Sequence, residues 1–124
     1  MTNILNDLVK NVSENIPGYI ALSVTEIESG ETLVSDSAKA DFDVDLASAY
    51  NLEVVNAKLK AISVLGIKED IKDITITLTH QIHIINIAPT GGYFIYLAID
   101  SAKANIAITK TLLNKYKAEL NDAI

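Results

Sequence analysis

The sequence predicts an α+β fold: a five-stranded antiparallel sheet with one long helix on one face and two terminal helices on the other. Three observations lead there. Residues 73–99, DITITLTHQIHIINIAPTGGYFIYLAI, hold three strand-like runs back to back. The second and third runs are apolar on both parities, so the strands they form must be covered on both faces. The remaining apolar periodicity is helical and falls at the start, the middle and the end of the chain. With neighbouring strands paired, the element order α-β-β-α-β-β-β-α places the strands before and after the central helix at opposite edges of one sheet.

Taken in order, Asn3 to Asn15 is an amphipathic helix with Ile4, Leu5, Leu8, Val9 and Val12 at helical spacing and Thr2 as its candidate N-cap. Ile16-Pro17-Gly18 stops it, because proline disfavours a helical residue before it. Tyr19 to Ile27 is a strand with Ile20, Leu22 and Val24 on one face. Glu28-Ser29-Gly30-Glu31 turns the chain into a short edge strand, Thr32 to Ser35, and Ser37 to Asp43 is a polar connection.

A long helix then runs from Val44 to Leu65, capped by Asp43 and stopped at Gly66. At about 100° per residue it carries two apolar stripes. Val44, Leu52, Val55, Leu59 and Ile62 form one. Leu46, Tyr50, Val54, Ala57, Ala61 and Val64 form the other, about 150° round the axis. Glu53, Asn56, Lys60 and Ser63 fill a polar wedge between them. One stripe packs on the sheet; the second, rich in alanine, requires another partner and allows a helix to approach closely.

The strand after it, Asp73 to Thr79, alternates Ile74, Ile76 and Leu78 with Thr75, Thr77 and Thr79. Gln81–Ala88 and Tyr93–Ile99 follow, joined by the Pro89-Thr90-Gly91-Gly92 turn. The last helix is expected from Ala102 to Leu120, capped by Asp100 or Ser101. Ala102, Ile106, Thr109, Leu113, Tyr116 and Leu120 make its apolar stripe; Lys103, Lys110, Asn114 and Lys117 make its wet side.

Composition narrows the chemistry. At 124 residues the chain fits a single domain, residues 1–124, large enough for a real core. A net charge of −6 argues against nucleic acid as a partner. The charge is uneven: residues 1–54 carry ten acids against two lysines, a balance of −8, and residues 55–124 six acids against eight lysines, a balance of +2. There is no arginine, so no guanidinium can act on a nucleotide phosphate, and no cysteine, so disulfides and thiolate sites are excluded. No signal peptide and no apolar run near membrane-spanning length is found, and a cytoplasmic protein that does not engage a membrane is expected.

No constellation speaks for an enzyme, a cofactor or a metal. His80 and His83, three apart, fall on opposite faces of a continuous strand and make poor joint ligands. His80 reads as a turn residue and His83 as a sheet residue. Asp36, Asp41, Asp43 and Asp45 flank a helix start without the glycine or terminal glutamate of a calcium loop. No Gly-x-Ser-x-Gly turn positions a serine, and Thr90-Gly91-Gly92 lacks the lysine of a phosphate loop. Tyr93, Phe94 and Tyr96 read as sheet core and rim.

These residues resemble the roadblock / dynein light chain family over nearly the whole chain. The likeness is strongest in ITITLTHQIHIINIAP, GGYFIYLAID and the DSAKANIAITKTLL opening of the last helix. Asp100 followed by Ala104-Asn105-Ile106-Ala107 is similar to the family's aspartate and Ala-Asn-Leu-Ala, with Ile106 in place of leucine. The IPGYIALSVTEIESGETLVS hairpin fits the family pattern more loosely. The resemblance implies a roadblock-like, profilin-like topology and a homodimer, or a heterodimer with a paralogue. The sheet then continues across subunits through the strand after the long helix, and the long helices pack together. It also implies a non-enzymatic partner of Ras-like GTPases or an adaptor in motor and trafficking complexes; bacterial members include the GTPase-activating partner of a gliding-motility GTPase.

The residues support a dimer on their own account. The Asp73–Thr79 strand is expected to be an exposed flat edge, an association hazard unless paired. The second stripe of the long helix lies beside it, and one two-fold axis buries both. The expected interface is Leu46, Tyr50, Val54, Ala57, Ala61 and Val64 with Ile74, Thr75, Ile76, Thr77, Leu78 and Thr79. The expected partners are a second copy of the chain and a Ras-like small GTPase. The alternatives are an adaptor with no GTPase link and a small-molecule-sensing domain whose site is lined by Glu28–Val44.

Overall fold

The structure, a computed structural model, describes residues 2–123 and the side chains of residues 3–123; the expected Thr2 cap falls outside the described side chains. The elements are α1 (Thr2–Asn15), β1 (Tyr19–Glu26), β2 (Thr32–Ser37), α2 (Val44–Val64), β3 (Asp73–Thr77), β4 (Gln81–Ile87), β5 (Tyr93–Asp100) and α3 (Ile106–Ala123). The five strands form one antiparallel sheet in the order β2-β1-β5-β4-β3. The strands on either side of α2 therefore sit at opposite edges, as the sequence predicts.

Strand parity sorts the core into two layers. Leu22, Val24, Ile82, Ile84, Ile95, Leu97 and Ile99 pack against Leu5, Leu8 and Val12 of α1 and Leu113, Tyr116 and Leu120 of α3. Ile20, Ala21, Ile85, Ile87, Phe94, Tyr96 and Ala98 face the other way, with Val44 and Val55 of α2; Ile20 thus parts from Leu22 and Val24, with which alternation groups it, at the register shift between Tyr19 and Ala21. This is the physical reason β4 and β5 read as apolar on both parities: each face has its own helical cover.

Helix α2 is framed as expected. Asp43 accepts the Leu46 amide at 3.0 Å. At the other end Gly66, at φ 71°, lets its own amide reach the Ser63 carbonyl and that of Ile67 reach Ile62, which satisfies the last carbonyls of the helix. Val44 and Val55 are buried and Leu52, Leu59 and Ile62 half-buried, so the first stripe packs on the sheet. Two further residues belong to that inner side, Ser48 and Asn51. Ser48 meets Ser23 of β1 hydroxyl to hydroxyl at 2.6 Å, which makes a buried serine tolerable there.

Several boundaries differ from expectation. Strand β1 ends at Glu26 and not Ile27, α2 at Val64 and not Leu65, and β3 at Thr77 and not Thr79; β2 continues to Ser37 rather than Ser35, and β5 to Asp100. The last helix begins at Ile106, not Ala102. Its cap is Asn105, whose side-chain oxygen accepts the Ile108 amide at 3.1 Å and whose carbonyl accepts the Thr109 amide. Asp100 instead closes a turn, accepting the Ala102 amide on its carboxylate at 2.9 Å and the Lys103 amide on its carbonyl. The close approach of β5 to the β1 entry fixes this turn: the Asp100 amide donates to the Gly18 carbonyl at 2.7 Å, and a Cβ at Gly18 would lie 2.9 Å from the Asp100 carbonyl. Ala102 is consequently exposed and outside the helix, and Ile106, in its first turn, is 41% exposed.

The expected wet side of the last helix is also revised. Lys103 precedes the helix, and Lys110, Asn114 and Lys117 reach across to the sheet. Lys110 pairs with Asp73 at 3.3 Å, Lys117 donates to the Asn86 side-chain oxygen at 2.6 Å, and Asn86 donates to Asn114 at 2.9 Å. Asn86 is a polar residue on the helix-covered face of β4, and these partners are what its burial requires.

Candidate functional site

The candidate site combines one flank of α2 with the open edge of β3. β3 forms where isoleucine and threonine alternate, β-branched residues at every position after Asp73. It pairs with β4 without a register break, from Asp73 opposite Asn86 to Thr77 opposite Ile82. Hydrogen bonds from Ile87 to Lys72 and from Leu78 to Gln81 bracket the strand. With the two-residue period of an antiparallel ladder, Ile74 and Ile76 turn their backbone groups to β4. Those of Asp73, Thr75 and Thr77 point outward and have no strand beside them.

Side chains follow the same alternation. Ile74 packs against the α2-side core and is half-buried, as is Ile76. Leu78, just past the strand, is 45% exposed. Thr75 and Thr77 are exposed, and Thr79 is exposed in the bend that follows. α2 lies over β1 and β2 and does not extend a comparable cover over β3.

The second stripe of α2 remains open. Leu46 is 55%, Tyr50 63% and Val64 76% exposed, and Ala57 is exposed as well. Val54 and Ala61 are half-buried, and Val54 packs on the same core cluster as Ile74. Stripe and strand thus share one side of the sheet. Sequence reasoning missed two residues that lengthen the stripe: Leu65 and Ile67, large apolar side chains left exposed by the glycine turn at Gly66. Their signal was the apolar pair around the helix stop.

The chemistry-bearing candidates lie elsewhere and are structurally engaged. His83 places Nε2 at 2.8 Å from the Gln81 side-chain oxygen and Nδ1 at 3.2 Å from the Tyr96 hydroxyl, edge-on to the rings of Tyr96 and Phe42. Burial lowers its pKa below the ordinary 6.5. His80 is exposed in the bend before β4. Tyr96 is pushed up to about 12 by burial, and Tyr93, bonded to Asn121, likewise to about 12. Tyr19 is raised further, first by burial and then by its 2.6 Å bond to Asp36. Among the described residues no group of three or more His, Asp or Glu side chains is placed to hold a metal ion. Thr90-Gly91-Gly92 is the β4–β5 turn, with the Gly91 amide on the Ala88 carbonyl at 2.8 Å.

At the level of sequence, no family model and no curated protein matches the chain. Solved structures do match in fold. A roadblock/LC7 domain from Streptomyces avermitilis superposes with a TM-score of 0.80 at 11% identity, over 94% of this chain and 93% of that one. MglB of Myxococcus xanthus gives 0.77 at 11% identity, over 94% and 88%. MglC of the same organism gives 0.64 at 14% identity, over 98% and 99%. The three-helix, five-stranded arrangement described above is therefore the roadblock/LC7 fold.

Proposed function

We propose that residues 1–124 form a single non-enzymatic domain that works as a homodimeric scaffold in the cytoplasm and regulates a Ras-like small GTPase. The observation that carries the dimer is the coincidence, on one side of one sheet, of an exposed apolar helix flank (Leu46, Tyr50, Val64) with an unpaired strand edge at Asp73, Thr75 and Thr77. One two-fold axis serves both. It pairs β3 with its own copy and lays the alanine-bearing flank of α2 against the partner helix. The twelve residues from Leu46 to Val64 and Ile74 to Thr79 named above then form the interface.

The GTPase rests on the family resemblance in the 73–113 region. Since the chain has no arginine, any stimulation of hydrolysis works by ordering the GTPase's own catalytic groups and not by inserting a cation. Sedimentation equilibrium of the purified chain tests the first half: a dimer at micromolar concentration is expected, and a monomer there refutes it. Binding of small GTPases loaded with GDP or a GTP analogue tests the second. A dimer that retains none of them is an adaptor without a GTPase link. The alternative of a sensor site along Glu28–Val44 has little to support it, because the larger clefts are lined by other segments.

A further inference from the structure

Beside the start of β3, between α3 and the β4–β5 turn, lies a cleft of about 400 Å³. Its apolar wall is Ile71, Ile87, Ala88 and Pro89, and its polar wall is Asn114 and Lys117 of α3. The volume is that of a small-ligand site, and so is the pairing of an apolar wall with a few convergent polar groups.

The polar wall has a fixed sense. Lysine can only donate, so the Asn86 atom 2.6 Å from Lys117 Nζ is its carbonyl oxygen. That leaves the Asn86 amide nitrogen to donate to Asn114, at 2.9 Å, and Asn114 must accept with its own oxygen. The Asn114 amide nitrogen is left without a hydrogen bond among the described residues. Lys117 uses two donors, on Asn86 and, at 3.4 Å, on the Ile87 carbonyl, and keeps a third.

The ammonium also lacks a counter-charge. The only salt bridge among the described residues is Lys110 with Asp73, so no carboxylate lies within contact distance of Lys117. Burial accordingly lowers the Lys117 pKa; Asp73 opposes that shift at longer range and Lys72 adds to it. A half-buried cation and a spare amide donor, side by side at an apolar wall, complement one negative charge on an apolar body. Asp70, Lys72 and Asp73 line the rest of the cleft, so with Lys117 its acids and lysines balance and there is no excess positive charge to hold a dianion such as phosphate.

We propose that this cleft binds a small amphipathic carboxylate, its oxygens on Lys117 Nζ and Asn114 Nδ2 and its hydrocarbon on Ile71, Ile87 and Pro89, with Asn86 as the positioning residue. The site does not depend on the dimer or on a GTPase.

Hexanoate is the probe, with 1-hexanol and hexylammonium as controls, titrated into the full chain and followed by two-dimensional NMR at the Asn86 side-chain amide, which both variants below keep. Saturable shifts with hexanoate are expected, with both controls at least about tenfold weaker, the scale of one charge-assisted hydrogen bond. Lys117→Met keeps the stem and removes the charge; Asn114→Asp, at an exposed position, sets a carboxylate beside Lys117 that competes with the ligand. Each is expected to weaken hexanoate at least about tenfold. Circular dichroism identifies a variant that fails to fold, and the other then decides. Equal binding of hexanoate and 1-hexanol, undiminished binding by the folded variants, or no hexanoate binding at all overturns the proposal.

Discussion

The two edges of the sheet are built differently. At β2 the register against β1 breaks between Val24 and Thr25, where Leu33 is the extra residue, so the edge is bulged. The strand carries Asp36, tied to Tyr19, and both α1 and α2 reach it. At β3 the ladder runs unbroken, the strand interior carries no charge, and the neighbouring helix flank is bare and apolar. Bulges and edge charges are how proteins discourage strand addition. Their presence on one edge and absence from the other leaves β3 as the edge open to strand addition.

The sharpest way to break this contrast is a proline on each edge. Thr75 turns its amide outward from β3, so Thr75→Pro removes no bond within the monomer and is tolerated by a strand edge. In an isologous interface the lost donor counts twice. At about 1.4 kcal/mol per site, dimer affinity should fall by about a hundredfold, read by sedimentation equilibrium. Ser35 holds the equivalent outward position on β2, because the Ala38 amide bonds to Ile20 and sets the parity of that ladder. Ser35→Pro should leave the oligomeric state unchanged. Equal effects from the two substitutions would end the distinction between the edges.

A smaller effect is expected on the helix flank. Tyr50→Glu places a charge in the open stripe of α2 and should weaken association by about tenfold or more, since a buried unpaired charge costs more than the ring it replaces. Monomer stability should move by no more than about 0.5 kcal/mol, because the side chain is already 63% exposed. A drop in the monomer's melting temperature without loss of association would assign Tyr50 to the fold and not to the interface.

What could be read in advance followed periodicity. The first stripe of α2 records the sheet it packs on, and the two-sided apolarity of β4 and β5 records a helical layer on each face, so the layers and strand order were legible. Three things were not. Ser48 and Asn51 belong to neither apolar stripe, and their inner position shows only in the fold, where Ser48 meets the Ser23 hydroxyl and its own helix's Val44 carbonyl. The start of α3 was expected at Ala102, capped by Asp100 or Ser101, whereas the cap is Asn105; the tight contact of Asp100 with Gly18, remote in sequence, holds Asp100 in a turn instead. Lys110 and Lys117 look like solvated charges until Asp73 and Asn86 are seen beneath them. At the candidate interface the side chains were legible, but the outward direction of Thr75 and Thr77 required the register.

The smallest and most selective contrast is in pH. On the α2 face of β4, opposite Ile76 of β3, His83 is held neutral by burial, its folded pKa below 6.5. Unfolding returns it to 6.5, so below that value the unfolded chain takes up the proton more readily. This contribution is complete above pH 6.5 and is lost as the pH falls from there toward the folded pKa. Beside β2, Tyr19 has a raised pKa, so its contribution is complete below the ordinary value of 10.0 and is lost as the pH climbs beyond it. Urea melts should therefore show an acid limb that His83→Gln flattens and an alkaline limb, shared with Tyr93 and Tyr96, that Tyr19→Phe reduces, each leaving the other in place. With Tyr96 and Phe42 packed on the imidazole, protonation also disturbs the ground on which β3 and the α2 flank rest. Dimer affinity should accordingly follow the acid limb and ignore the part of the alkaline limb that Tyr19→Phe removes. If it follows that Tyr19-dependent part instead, the edge that pairs is β2.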